Sequence, residues 1–283
     1  MEIIRSVDLL RDRLAGRREN GESVGLVPTM GALHDGHISL VDRARRENDV
    51  VVVSVFVNPT QFNNPEDLRT YPRTEEGDAA RLEAAGVDYA FMPTVEEVYP
   101  EPDTRVFDLG PVAEVMEGAM RPGHFNGVAQ IVSRLFDMVR PTRAYFGEKD
   151  FQQIAVIRRM VELEGFDLEI VDCPICREAD GLAMSSRNVR LTPAQRAIAP
   201  AIHATLAKAV DMAPATPLAE VKKWVKDTID AVDGLETEYF EIVDPLTMQP
   251  LATWDAPHTA PAVGCVTVYC GDVRLIDNIK FNV

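Results

Sequence analysis

Val27-Pro28-Thr29-Met30-Gly31-Ala32-Leu33-His34-Asp35-Gly36-His37 is the stretch that decides the fold. The apolar run 24–27 leads into it and reads as a buried strand over 25–27. From His37 to Glu47 the pattern is that of an amphipathic helix, with Ile38, Val41 and Ala44 on one side. A strand, a glycine turn and a helix start in that order suit an anion. The first helical turn carries unpaired N–H groups and a partial positive charge. Gly31 and Gly36 lack Cβ and let backbone approach a ligand. His34 and His37 can both donate hydrogen bonds to one anion. His-x-x-His alone is also a metal-ligand pair. The ordered pattern directly after a strand favours a nucleotide-phosphate site.

Outward from this motif, helix and strand signals alternate to about residue 175. A first helix is expected over 6–17. Residues 50–57 are nearly all apolar, as in a parallel strand buried on both faces. They end in the polar loop 58–65, which should lie beside the opening motif at the C-terminal edge of the sheet. A helix over 74–85 closes on Gly86. A strand over 87–92 and an irregular stretch, 100–123, follow. The spacing then predicts a helix over 128–139, a strand over 144–146, a helix over 151–164 and a strand over 168–171. This is the pattern of an α/β, Rossmann-like doubly wound parallel sheet with right-handed crossovers.

Past residue 176 the character changes. Thr192 caps a helix with Pro193 in its first position, running to about Asp211. Pro214 and Pro217 separate it from a helix over 218–232. Two strands, 237–243 and 263–270, complete a smaller C-terminal α+β domain. The expected division is 1–176 and 177–283, the second part serving as a lid.

The 283 residues are 46% hydrophobic and 26% charged, as in a soluble globular protein. A formal net charge of −16 disfavours nucleic acid and anionic membranes as partners. It leaves ATP open, since a few local cations suffice. The first ten residues are not a signal peptide, and no apolar run is long enough to span a bilayer, so a cytoplasmic location is expected. Cys173 and Cys176 have redox or half-zinc spacing, but a turn follows where a redox motif needs a helix. Cys265 and Cys270 lie in a strand-like run, and all four cysteines are expected to be free thiols without a metal or redox role.

Four stretches carry residues suited to ATP chemistry. Besides the opening motif, Gly147-Glu148-Lys149-Asp150 stands at another strand end, where Lys149 can neutralise a phosphate and Asp150 suits a helix start or a ribose hydroxyl. Met184-Ser185-Ser186-Arg187 offers two hydroxyls and a guanidinium in a loop, a clamp for polyphosphate. Gln61 and Gln153 are uncharged groups suited to a hydroxyl or carboxylate. There is no Walker-type phosphate loop, no Gly-x-Ser-x-Gly elbow and no setting for a nucleophilic cysteine. The chemistry is therefore positioning and charge stabilisation at phosphorus.

Pro-Thr-Met-Gly-Ala-Leu-His-x-Gly-His, Phe-Val-Asn-Pro-Thr-Gln-Phe (56–62), Tyr-Pro-Arg-Thr (71–74), Arg-Pro-Gly-His-Phe (121–125), Gly-Glu-Lys-Asp-Phe-Gln-Gln (147–153) and Met-Ser-Ser-Arg-Asn (184–188) together resemble the pantothenate synthetase family over nearly the whole chain. The first and last also resemble the signatures of the nucleotidylyltransferase and class I tRNA synthetase superfamily. The resemblance implies an ATP-dependent ligase that joins pantoate to β-alanine through a pantoyl-adenylate and releases AMP and pyrophosphate. It implies ATP contacts from Met30, Gly31, Ala32, Leu33, His34, Asp35, Gly36 and His37, and from Gly147, Glu148, Lys149, Asp150, Met184, Ser185, Ser186 and Arg187. Cys176 stands where the family usually has valine and would meet adenine through its backbone. Gln61 and Gln153 would bind pantoate, with Gln61 shared with β-alanine. Mg2+ would be held chiefly by ATP, with Asp78 as a candidate ligand. A homodimer is implied.

A carboxylate ionised at pH 7 needs no general base to attack the α-phosphorus. It needs close approach, and the transition-state charge needs His34, His37, Lys149 and Arg187 against it. Two other readings stand beside this one: an adenylyltransferase acting on another small substrate, and a nucleotide-binding regulator without catalysis.

Overall fold

The computed structural model describes residues 1–256 and 261–282. The chain divides into two compact units. One comprises Met1–Leu109, Arg121–Glu148 and Val156–Pro174; the other comprises Gly110–Met120, Lys149–Ala155 and Ile175–Val283.

The first unit is a six-stranded, wholly parallel sheet: β1 (Glu2–Ile4), β2 (Val24–Thr29), β3 (Val50–Val55), β4 (Tyr89–Phe91), β5 (Arg143–Gly147) and β6 (Glu169–Cys173). Their order across the sheet is β1-β4-β3-β2-β5-β6. Chain order runs outward to one side from β2 through β3 to β4 and to the other through β5 to β6. The sequence reverses at β2, and ligands of open parallel sheets sit beyond the carboxyl ends of the strands at such a reversal. Val50–Val53 are buried and Val24, Leu26 and Val27 have at most 1% exposure, as continuous apolar runs in a covered parallel sheet require. The helix Asp35–Glu47 buries Leu40, Val41 and Ala44 in the same core as Val51 and Val53.

Several element bounds differ from the sequence reading, each for a local reason. The strand β2 extends through Pro28 to Thr29; β5 pairs with it only at Gly25 and Leu26, so the missing proline N–H lies beyond that ladder. The helix expected from residue 128 begins at His124 behind Gly123, whose φ of 83° a side chain would resist. The short strand β1 and the helix Pro65–Thr70 were not expected. The expected strand 50–57 stops at Val55.

The second unit holds an antiparallel sheet of β7 (Leu235–Val243), β8 (Ala262–Cys270) and β9 (Val273–Phe281), in that order. Two strands were expected here. The third, β9, was missed because Arg274, Asp277 and Asn278 interrupt its apolar pattern. The two charged residues are satisfied inside: Arg274 pairs with Glu117 and Glu238, and Asp277 with Arg177. The helix expected from 193 to about 211 is two helices, Pro193–Ile198 and Ala201–Met212, separated at Ala199-Pro200. Ile202, Leu206, Val221, Val225 and Ile229 pack with Val266 and Val268 as this unit's core. The four cysteines are free, and Cys173, Cys265 and Cys270 are buried. Among the described residues no helix is long and apolar enough to cross a membrane.

Candidate active site

The opening motif forms its turn at the carboxyl end of β2. Gly31 has φ 80° and Ala32 φ 49°, two left-handed residues in succession. A buried carboxylate holds this unusual pair. Asp78, 2% exposed, accepts from the Ala32 N–H (2.9 Å) and the Leu33 N–H (2.8 Å), and the Thr74 hydroxyl donates to it at 3.1 Å. Thr74 ends the Tyr-Pro-Arg-Thr segment and directly precedes the helix Glu75–Ala84, which carries Asp78. Asp78 is the candidate magnesium ligand, and its oxygens staple the turn.

The helix Asp35–Glu47 starts earlier than expected, and two histidines start it. His34 is the N-cap: its Nδ1 accepts the Gly36 N–H at 3.2 Å, while His37 Nδ1 accepts the His34 N–H at 3.3 Å. The rings stand 4.1 Å apart between centroids. This reciprocal capping box normally needs a hydroxyl and a glutamate. Because Nδ1 accepts in both rings, a ring proton is assigned to Nε2 in each. The expectation of unpaired amides is corrected here. The N–H groups of Ala32, Leu33, His34 and Gly36 are used within the protein.

Beside β2, β3 ends at Val55, and the turn Pro59–Gln61 follows. Gln61 is 9% exposed. Its Oε1 accepts from Asn58 Nδ2 at 3.1 Å, and its Nε2 lies 3.1 Å from Met30 Sδ, so the glutamine touches the opening motif. His124 of the Arg-Pro-Gly-His segment fixes the Gln61 backbone: Nδ1 stands 2.8 Å from the Gln61 carbonyl, and Arg121 lies 3.1 Å from Nε2. Since arginine can only donate, the His124 proton is on Nδ1 and is given to that carbonyl. On the other side of β2, β5 ends at Gly147, followed by Glu148. Met30–His37, Gln61, Gly147 and Glu148 thus all follow adjacent strand ends of one sheet.

In the second unit, Lys149 and Asp150 complete the turn Glu148–Asp150, with Lys149 Nζ 3.4 Å from Asp150. Asn278 of β9 donates to the Lys149 carbonyl at 3.1 Å. The neighbouring Asp277 binds Arg177 at 2.7 and 2.9 Å. Arg177 pairs in an antiparallel bridge with Ala183, and the Met184 N–H donates to the Cys176 carbonyl at 3.0 Å. β9 therefore anchors both Lys149 and the loop that joins Cys176 to Met184. Ser185 caps the turn Ser186–Arg190 by accepting the Arg187 N–H at 3.2 Å, and Ser186 is buried. Gln152 is buried and structural, bonding the Glu117 N–H and the Val112 and Val115 carbonyls. Its neighbour Gln153 is half-buried.

Sequence reasoning missed Asn58, Tyr99 and His124. Asn58 and His124 stand inside quoted motifs, so a signal existed. Tyr99 is in none.

A wholly parallel sheet with an imidazole pair at its strand-order reversal, and an amide held beside it, defines a Rossmann-like α/β enzyme of small-molecule chemistry. Comparison with known proteins narrows this. The profile of the pantoate–beta-alanine ligase family matches residues 2–280. The pantothenate synthetase of Porphyromonas gingivalis strain W83 is 61% identical over 282 residues, covering 99% of each chain. The crystal structure of pantothenate synthetase from Thermus thermophilus superposes with a TM-score of 0.92 at 48% identity, covering 99% of both chains. That of pantoate–beta-alanine ligase from Francisella tularensis, complexed with beta-gamma ATP and beta-alanine, gives 0.82 at 35% identity, covering 100% of this chain and 98% of that one. The chain belongs to the pantoate–beta-alanine ligase family and is a ligase.

Proposed function

We propose that this ligase condenses (R)-pantoate with β-alanine, with ATP as co-substrate, through a pantoyl-adenylate. A pantoate carboxylate oxygen attacks the α-phosphorus of ATP, and pyrophosphate leaves. The amine of β-alanine then attacks the acyl carbon, and AMP leaves with that oxygen. The observation that carries the reading is the pair His34 and His37, each locked with Nδ1 as acceptor at the carboxyl end of β2. The relative from Francisella tularensis supports it, having been crystallised with an ATP compound and beta-alanine.

In this reading Nε2–H of His34 and of His37 donates to phosphate oxygens as charge grows on them, and Lys149 and Arg187 supply the cationic charge. Met30, Gly31, Ala32, Leu33, Asp35 and Gly36 shape the turn at the nucleotide. Gly147, Glu148 and Asp150 hold ribose and phosphate, Met184, Ser185 and Ser186 close on the phosphates, and Cys176 meets adenine through its backbone. Gln61 and Gln153 hold pantoate, and Gln61 also meets β-alanine. Among the described residues no group of three histidine, cysteine or carboxylate side chains could hold a metal, and Asp78 is engaged with backbone. A protein-borne Mg2+ site does not fit these residues; magnesium enters as the partner of the ATP phosphates. The active form is a homodimer.

The test is AMP release with ATP, magnesium, pantoate and β-alanine, each omitted in turn. Sustained AMP formation must require both organic substrates. AMP formed at the full rate without β-alanine, or none with the complete set, would overturn the proposal.

A further inference from the structure

We propose that Tyr99 is a positioning residue for substrate binding, acting through Asn58 to hold the Gln61 amide with its NH2 end toward the ligand. This rests on the reading of Gln61 as a pantoate ligand.

Asn58 is 1% exposed, and every polar position of its amide is used. Nδ2 donates to Gln61 Oε1 and to the Gly127 carbonyl, both at 3.1 Å. Oδ1 accepts from the Tyr99 hydroxyl at 2.8 Å and from Thr60 Oγ1 at 3.2 Å. Turning the amide over would set Oδ1 against the Gly127 carbonyl, which can only accept. That carbonyl cannot retreat easily, because Gly127 packs its Cα face against the 60–61 backbone; a Cβ there would meet the Thr60 oxygen at 2.3 Å. The donors therefore run one way, from Tyr99 to Asn58 to Gln61. Gln61 must present Oε1 to Asn58, and Nε2 is left on the far side, against the weak acceptor Met30 Sδ. Gln61 then meets the substrate as a donor, to a hydroxyl or carboxylate oxygen.

The tyrosine is itself held. The Arg134 guanidinium carbon lies 4.9 Å from its ring centroid. Arg134 Nε donates to Asp103 at 2.8 Å, and its Nη1 to the Val98 carbonyl at 3.2 Å. Burial raises the Tyr99 hydroxyl above its ordinary range, so it stays protonated and remains a donor. Removing it leaves Thr60 as the one hydroxyl on Oδ1 and loosens the amide without emptying the core.

The experiment is a double-mutant cycle of Tyr99→Phe and Gln61→Ala, read as KM for pantoate, KM for ATP, kcat and melting temperature. Tyr99→Phe should raise the pantoate KM about fivefold to tenfold, the scale of one net hydrogen bond, with the ATP KM and melting temperature little changed. In the Gln61→Ala background the same substitution should have no further effect on the pantoate KM, because its route is gone. Additive effects in the double variant, or an unchanged pantoate KM in Tyr99→Phe while Gln61→Ala raises it, would overturn the relay. An unchanged pantoate KM in Gln61→Ala would instead overturn the reading of Gln61 on which the relay stands.

Discussion

Asp78→Asn tests whether the turn at residues 31–33 is held by a staple or whether Asp78 serves a metal. The carboxylate offers two acceptors to two consecutive N–H groups. Asparagine keeps one acceptor and turns an NH2 toward the other N–H. The loss is one charge-assisted hydrogen bond, about 1.5–3 kcal/mol, with an amide left facing a donor. Ala32, at φ 49°, carries strain of about 1–2 kcal/mol that these bonds offset. A destabilisation of about 2–4 kcal/mol follows, and at this chain length the melting temperature should fall by roughly 5–10 °C. Because Leu33 directly precedes the N-cap His34, the imidazoles lose their register, and KM for ATP should rise about tenfold. The magnesium concentration for half-maximal activity should not move. Calorimetry and a magnesium titration at saturating ATP read the two quantities. Parental stability together with a shifted magnesium requirement would refute the staple and restore Asp78 as a ligand.

His37→Ala should lower kcat by about 30- to 1000-fold, the usual effect of removing one charge-stabilising donor; a change below twofold in steady-state turnover would favour a non-catalytic nucleotide-binding protein. Gly127→Ala should destabilise the chain and raise the pantoate KM, since its Cβ would meet the Thr60 oxygen at 2.3 Å and the Gln61 Cα at 2.7 Å; a melting temperature equal to the parent's contradicts this. Burial pushes both the Cys265 thiol and the Tyr145 hydroxyl up to about 12, from ordinary values of 9.0 and 10.0. Both bind their protons more tightly in the folded chain, so their contribution is complete below pH 9 and is lost as pH rises toward 12. Urea midpoints should therefore fall between about pH 8.5 and about pH 10.5, and equal midpoints would contradict it.

The sheet was legible because burial on both faces leaves a mark that composition shows. Val50 to Val53 can hardly sit anywhere else. β9 was illegible for the opposite reason. Arg274 and Asp277 look like surface residues until Glu117 and Arg177, distant in sequence, are placed beside them. The turn at residues 31–37 reads in sequence as one with unpaired amides, but four of its N–H groups have acceptors inside the protein. Nothing in His-x-x-His announces that both Nδ1 atoms are spent on backbone, because that depends on ring rotamers fixed by the helix start. Asp78 was visible only as a carboxylate near a motif. That it points at two amides some 45 residues earlier follows from β2 and the helix Glu75–Ala84 packing in one unit. Tyr99 belongs to no motif, and its link to Asn58 exists only in three dimensions.

In the proposed reaction a carboxylate oxygen attacks the α-phosphorus of ATP. Its most direct test is oxygen transfer. Pantoate carrying 18O in its carboxylate is turned over with unlabelled ATP and β-alanine, and the AMP is examined by mass spectrometry. An acyl-adenylate deposits one labelled oxygen in each AMP and none in pyrophosphate. Unlabelled AMP, with the label in pyrophosphate or phosphate, would contradict the account.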